Sequence, residues 1–290
     1  MNLQLIKLCF WLFGSFIFTF SLSCSKDKHK VDVPSYMHID NIDVSTDLIT
    51  EGSASDNIID AWVFVDDQLI GTYELPSTFP ISSTGIHKIE IRAGIRKDGQ
   101  VSNRIVYPFY APYTDNTFNL IEDNVHDLSP IVSYYGTASF KWIEGFESPT
   151  LKVEDAPSSK ATLVRLTDPE IVFEGVGCGA VYLNSAISNF EISSVDPIKL
   201  PTGTNVYLEF DYKTDQYMEV GLYANTAGAA IKSNLITLKP REEWNKIYIY
   251  LTSDLTDFSN ADDFTFYFSG KNDLGLDSSA FYLDNIKIVY

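Results

Sequence analysis

Val206-Tyr207-Leu208-Glu209-Phe210-Asp211-Tyr212 alternates residue by residue between a side of Leu208, Phe210 and Tyr212 and a side of Tyr207, Glu209 and Asp211. Successive side chains of an extended chain point to opposite faces, so this stretch reads as a strand with an apolar core face and a second face of tyrosine and carboxylate. The same period of two recurs at Met218 to Tyr223, Ile247 to Leu251, Phe264 to Phe268 and Phe281 to Val289, and upstream at Trp62-Val63-Phe64-Val65 and Ile89-Glu90-Ile91-Arg92. These runs are rich in aromatic and β-branched residues. Turn formers separate them: Asp66-Asp67, Lys97-Asp98-Gly99, Pro201-Thr202-Gly203-Thr204 and Ser269-Gly270-Lys271-Asn272-Asp273. Many short strands between turns define an all-β chain of sandwiches or barrels.

The strands fall into two units joined near residues 138–143. In the first, residues 32–138, Asp60 to Gly71 reads as a hairpin turning at the acidic pair, followed by strands at Gly85–Ile95, Val106–Tyr110 and Ile131–Tyr135. This pattern resembles an immunoglobulin-like or fibronectin-like sandwich without its Cys-Trp-Cys hallmark. The second unit, residues 139–290, holds the remaining strands.

Ahead of both lies a segment of another kind. Lys7 precedes an apolar run from Leu8 to Phe20, then Ser21-Leu22-Ser23-Cys24. A basic residue, an apolar stretch too short to span a bilayer and a small-residue site make a secretory signal, residues 1–23, which takes no part in the fold. Ser21-Leu22-Ser23-Cys24 resembles the bacterial lipobox, with Ser21 where a leucine is usual, as in Bacteroidetes-like surface lipoproteins. The resemblance implies lipidation at Cys24. Ser25 to Lys30 is a charged tether with nothing to bury, so residues 24–31 read as lipidated cysteine and linker. The expected location is the outer membrane, facing the cell surface or the periplasm.

Of three cysteines, Cys9 lies in the signal and Cys24 would carry lipid, which leaves Cys178 as the one thiol of the mature chain. No intramolecular disulfide is then available, and the fold must rest on burial, which 45% hydrophobic and 14% aromatic residues allow. Cys178, between glycines and before Val181-Tyr182-Leu183, reads as a small core residue. The formal net charge of −18 makes nucleic acid and anionic lipid head groups poor partners and leaves glycans, cations or proteins. Solubility alone also accounts for much of such a charge.

The second unit opens with Trp142-Ile143-Glu144-Gly145-Phe146-Glu147, continues with Leu208-Glu209-Phe210-Asp211-Tyr212-Lys213 and Glu243-Trp244-Asn245-Lys246-Ile247-Tyr248-Ile249, and closes with Phe281-Tyr282-Leu283-Asp284-Asn285-Ile286-Lys287-Ile288-Val289. Taken in this order, the motifs resemble the galactose-binding-like jelly roll of many carbohydrate-binding modules. The resemblance implies a jelly-roll β-sandwich, and a structural Ca²⁺ held by the acids matching Glu147 and Asp284, with backbone carbonyls completing its shell. The plainer alternative is that Glu147 is a surface acid and Asp284 starts a kink. No cofactor is otherwise required.

A ligand face should combine aromatic platforms with polar groups. Tyr207, Glu209 and Asp211 share one face, as do Tyr217, Glu219 and Tyr223, and as do Trp244, Lys246, Tyr248 and Tyr250; Leu208-Phe210-Tyr212, Met218-Val220-Leu222 and Ile247-Ile249-Leu251 lie opposite and form the core. Exposed tyrosine and tryptophan also simply favour strands.

Catalytic motifs are sparse. Glu209-Phe210-Asp211 resembles the start of the E-x-D-x-x-E strand of laminarinase-like hydrolases, but Thr214 stands where the last glutamate belongs, and Glu170 and Glu174 sit in loop-like sequence. His29, His38, His87 and His126 are scattered, without zinc spacing. The resulting expectation is a non-catalytic envelope lipoprotein that binds a glycan or an envelope protein through its C-terminal jelly roll, the first unit serving as a stalk. The alternatives are an accessory subunit of an outer-membrane transport, secretion or glycan-uptake complex, and a glycoside hydrolase.

Overall fold

The computed structural model describes residues 33–274 and 276–290. The signal, Cys24 and the tether lie outside the described residues. Strands β1 (Ser35–Ile39), β2 (Asp43–Ser45), β3 (Asp60–Val65), β4 (Gln68–Glu74), β5 (Ser77–Ile81), β6 (Gly85–Arg96), β7 (Arg104–Val106), β8 (Tyr110–Ala111), β9 (Tyr113–Leu120), β10 (Val125–Leu128) and β11 (Ile131–Tyr134) precede residue 138. After it come β12 (Trp142–Glu144), β13 (Val153–Asp155), β14 (Val164–Leu166), β15 (Cys178–Asn184), β16 (Asn189–Ser194), β17 (Tyr207–Thr214), β18 (Met218–Thr226), β19 (Ala229–Leu238), β20 (Arg241–Tyr250), β21 (Asp263–Lys271) and β22 (Ser278–Val289). A helix of one and a half turns, α1 (Thr252–Asp257), interrupts them. The protein is all-β, and among the described residues no helix is long and apolar enough to cross a membrane.

The N-terminal strands form three small sheets, with orders β10-β1-β5, β2-β11-β8 and β4-β3-β6-β7, β9 also pairing with β6. The β3–β4 hairpin turns at Asp66 and Asp67, whose φ angles of 48° and 64° are those of a two-residue turn matched to strand twist. Met37, Ile39, Val63, Ile89, Ile91 and Ile95 fill the space between the sheets.

The C-terminal strands form a sandwich of two antiparallel sheets. One has the order β14-β15-β22-β17-β20 with β12 beside β22, and the other β13-β16-β21-β18-β19. Leu208, Phe210 and Tyr212 of β17, Met218, Val220 and Leu222 of β18, Ile247 and Ile249 of β20 and Phe264, Phe266 and Phe268 of β21 meet between them, as their alternation requires. Each such side chain contributes about 1.5–3 kcal/mol by leaving water.

In β22 the alternation slips by one. Phe281 and Leu283 face the core, Asn285 turns to φ 52°, and then Ile286 and Ile288 face the core, while the β17 register shifts between Glu209 and Asp211. This is a β-bulge. It keeps Asp284 and Lys287 both on the outer side of the sheet, where an unbroken alternation would have driven Lys287 inward. The kink expected as the plainer reading of Asp284 is present, with the Asn285 N–H donating to Asp284 Oδ1 at 2.8 Å.

Candidate functional site

The outer face of the first sheet is a seam. Tyr207, Tyr248 and Val289 enter the apolar core of the N-terminal unit, joined by half-buried Tyr250. The turn between β6 and β7 lies on β20: the Asp98 N–H donates to Tyr248 O at 2.9 Å, the Tyr250 N–H to Asp98 Oδ1 at 2.7 Å, and the Lys97 ammonium stands 3.7 Å from the Tyr250 ring centre.

Beneath this cover sits a charge cluster. Glu209 accepts a hydrogen bond from the Tyr107 hydroxyl and another from the Tyr134 hydroxyl at 3.0 Å. The Lys246 ammonium lies 3.5 Å from Glu209 and 3.8 Å from Asp211, and donates to Ser55 Oγ at 3.2 Å. Ser55 in turn donates to Asp211 Oδ2 at 2.5 Å. The Lys287 ammonium donates to the carbonyls of Glu51 at 3.1 Å and Ser53 at 2.8 Å, with Glu209 at 4.0 Å. Burial pulls Lys287 down to about 8 and pushes the Tyr107, Tyr110, Tyr134 and Tyr248 hydroxyls well above their ordinary value. Two acids, two ammonium groups and their hydroxyl and carbonyl partners compensate one another out of water, which is the condition for keeping charge buried.

The expectation that Tyr207, Glu209, Asp211, Tyr248 and Tyr250 form a ligand face is therefore corrected. Tyr207, Glu209, Asp211 and Tyr248 are at most 1% exposed, and all five are occupied by the N-terminal unit. Trp244 continues the same face beyond the seam but is held there: its indole N–H donates to Ile171 O at 3.1 Å, and its ring packs against Phe173 and Tyr282. It is a fixed, half-buried anchor for the 167–177 loop.

The outer face of the second sheet is open. Register aligns Glu191 of β16 with Ser269 of β21, Ser269 with Glu219 of β18, and Glu219 with Thr237 of β19. Tyr217, 47% exposed, stands at one end, and these residues with Asn189 and Lys271 line a groove of about 240 Å³. Tyr223 lies further along β18; its hydroxyl donates to Glu191 Oε1 at 2.6 Å. Lys232 of β19 pairs with Glu191 Oε2 and lies 4.2 Å from the ring centre of Tyr267 and 5.4 Å from that of Tyr223. Gly221 is the floor: a Cβ there would come within 2.3 Å of the Tyr267 ring. Of the residues expected at a site, this groove unites Tyr217 and Glu219, and Tyr223 reaches it through its bond to Glu191. Glu191, Lys232 and Ser269 join them without having been expected, and Tyr267 lies buried beneath Lys232, although the inward Phe264-x-Phe266-x-Phe268 pattern already turns Tyr267 and Ser269 to the outer side.

The metal expectation concerns Glu147 and Asp284. Both Glu147 oxygens accept the Val176 N–H at 3.0 Å, and Asp284 Oδ2 is buried without a hydrogen-bond partner. Burial, reinforced by Asp211, Glu174 and Glu147, raises Asp284 to about 8. An orphaned buried carboxylate oxygen suits a hard cation. Yet no three Asp, Glu, His or Cys side chains converge in a metal-ligating group among the described residues, and the carbonyls of Phe146 and Glu147 already accept from the Arg165 guanidinium. Side chains offer two carboxylates at most, and further backbone carbonyls would have to complete the shell.

Glu170 is exposed in the loop, and Glu174 is half-buried at the rim of a separate cavity with Glu147, Glu144 and Leu48. Cys178 is fully buried and its thiol is pushed up to about 12, mainly by that burial, as befits an inert core residue. His87 pairs with Asp66 at 2.7 Å on the surface of the N-terminal unit.

No protein-family model matches the sequence, and neither does any curated protein. Solved structures do align with about half of it. The xylan-binding domain from carbohydrate-binding module family 22 aligns at TM-score 0.37 and 14% identity, over 51% of this chain and 93% of that one. A family 29 module complexed with mannohexaose gives 0.35 and 14%, over 53% and 91%. The family 11 module of the cellulosomal cellulase Lic26A-Cel5E of Clostridium thermocellum gives 0.35 and 16%, over 52% and 94%. A bacteriophage CBA120 tailspike domain aligns as well, at TM-score 0.36 and 10% identity over 47% of this chain and 18% of that one.

Proposed function

We propose that the chain is a non-catalytic glycan-binding protein whose binding surface is the open face of its C-terminal sandwich. The observation that carries the reading is the groove in which Tyr217 stands beside the polar groups of Glu191, Glu219, Ser269 and Lys232, with Tyr223 further along the same face donating to Glu191. A pyranose ring offers a flat C–H surface for an aromatic side chain and hydroxyls for carboxylates and amines held in place. The N-terminal unit, immunoglobulin-like by its sequence, serves as a stalk rigidly joined to the sandwich through the seam, and lipid on Cys24 would tether both to the outer membrane. A divalent cation at Glu147 and Asp284 belongs to the same proposal as a structural element.

The test is calorimetric titration of the full chain with neutral xylo-, manno- and β-1,3-1,4-gluco-oligosaccharides, repeated with Tyr217→Ala and Glu219→Ala. Binding weakened at least about tenfold by either change, at unaltered melting temperature, is the expected result. Absence of binding, or binding indifferent to both changes, overturns the reading. Release of reducing ends that stops with Glu191→Gln or Glu219→Gln would instead make the groove a glycosidase site.

A further inference from the structure

The formal charge of the chain is −18, yet one cleft gathers cations. It opens where the β6–β7 turn meets the β19–β20 turn, has a volume of about 480 Å³, and is lined by Arg96, Lys239, Arg241, Asn57, Gln100 and Asn245. Lys246 also borders it, but with its ammonium turned inward to Glu209 and Asp211. The one acid on its wall is Asp98, whose Oδ1 is already engaged by the Tyr250 N–H.

The lining cations are short of acidic partners, Arg241 having the Tyr212 hydroxyl beside it. Neither Lys239 nor Arg241 has a carboxylate within 4.0 Å among the described residues. Arg96 has only Glu74, at 3.9 Å, and its Nε is buried without any hydrogen-bond partner. An unsatisfied buried donor is costly, and guanidinium groups bind planar or tetrahedral oxyanions through paired N–H donors. Grouping unpaired cations in a cleft also focuses a positive potential that the rest of the surface opposes. The remaining wall sets the amides and hydroxyl of Gln100, Asn245 and Ser102 beside the apolar side chains of Val101, Ile236, Leu238 and Ile247, a mixture that suits a sugar with its hydroxyls and C–H faces.

We propose that this cleft between the two units binds an acidic glycan, its carboxylate or sulfate group held by Arg96, Lys239 and Arg241. The site adjoins the open groove at Thr237 but uses other charged side chains and does not depend on that groove binding anything.

The experiment is calorimetric titration of the full chain with polygalacturonate oligomers, with sulfated dextran oligomers, with neutral dextran oligomers, and with inorganic sulfate and phosphate, at 20 and 300 mM NaCl as chosen conditions in the regime where salt screens exposed charge, about 10 Å at 0.1 M. Expected is binding of one or both acidic glycans, no binding of neutral dextran, and weakening with salt. The acidic arm that binds assigns the group as carboxylate or sulfate. Lys239→Glu with Arg241→Glu should lower the affinity at least about tenfold. Lys141→Glu with Lys199→Glu makes the same change in net charge on exposed residues elsewhere and should leave it within about twofold. The proposal is overturned if neither acidic glycan binds, if inorganic sulfate or phosphate binds as tightly as the glycans, or if the two double variants behave alike. Neutral oligosaccharide binding that is lost with Tyr217→Ala reports on the open groove alone, so the two readings fail independently.

Discussion

The two outer faces of the C-terminal sandwich are written in the same alphabet and have opposite fates. On one, Tyr207, Glu209 and Asp211 alternate along β17 beside Lys246 and Tyr248 of β20; on the other, Tyr217, Glu219 and Tyr223 alternate along β18 beside Lys232 of β19. Glu209 is 0% exposed and compensated by two ammonium groups and two tyrosine hydroxyls, whereas Glu219 is exposed and accepts a long hydrogen bond from the Ser269 hydroxyl at 3.5 Å. A period of two says which residues are excluded from a strand's own core. It does not say whether water or another unit covers them.

The largest expected break between the faces is therefore Glu209→Ala against Glu219→Ala. The first leaves Lys246 and Lys287 buried without their shared acid and should cost about 3–5 kcal/mol. The second removes an exposed acid and should change stability by less than about 0.5 kcal/mol. Urea unfolding of both variants measures the difference. Equal effects would mean that the seam is open in solution.

Next in size is the pH response of Asp284, on the seam side of the sandwich. Its carboxyl is raised to about 8 in the folded chain against an ordinary value near 3.8, so the folded state holds a proton that the unfolded state releases. Folding stability from this group is fully present below about pH 4 and falls as pH rises to about 8, a loss of the order of a few kcal/mol. Asp284→Asn should flatten that decline in thermal melts from pH 4 to 8. If Ca²⁺ flattens it in the unaltered chain and EDTA restores it, the Asp284 carboxylate is held by a cation; if neither has any effect, it is kept as a neutral acid.

A smaller probe is Tyr134→Phe, which removes one hydroxyl donor from Glu209 while keeping the ring against Phe140 and Tyr110. A hydrogen bond to a buried charge is worth about 1.5–3 kcal/mol. Tyr223→Phe deletes the matching hydroxyl from Glu191 on the open face and should cost less, because the half-exposed Lys232 still compensates that carboxylate.

The contrast also marks what could be read in advance. The central strands β17, β18, β20, β21 and β22 announce themselves, since aromatic and aliphatic residues fill every second position. Asn189-Phe190-Glu191-Ile192-Ser193-Ser194 is too polar to stand out, so Glu191 went without a place, and β19 carries Lys232 on a mostly exposed edge with little apolar signal. The cover of the seam was least legible. Its ligating atoms are the carbonyls of Glu51 and Ser53, the hydroxyl of Ser55 and the tyrosines of the N-terminal unit, all separated from Glu209 by dozens of residues and held by no local pattern. The two lysines did carry a hint: Lys246 faces Asp211, and Lys287 faces Glu209, across paired strands. That pairing becomes visible only once the register, including the bulge at Asn285, is known.

The smallest expected effect tests the open face directly. Lys232 keeps 42% of its side chain in solvent, pairs with Glu191 and stands over Tyr267. Glu191 keeps only 11% of its side chain in solvent, but with the cation open to water the pair is worth about 0–1 kcal/mol, because water and salt screen it and the lysine loses rotamer freedom to make it. Lys232→Ala should accordingly shift stability by less than about 0.5 kcal/mol in urea. It should also uncover the Tyr267 ring and free a Glu191 oxygen for sugar hydroxyls, so neutral oligosaccharide affinity should change while the fold does not. A loss above about 1 kcal/mol would put Lys232 in the company of Lys246 and Lys287 and make the open face an integrated interface like the seam.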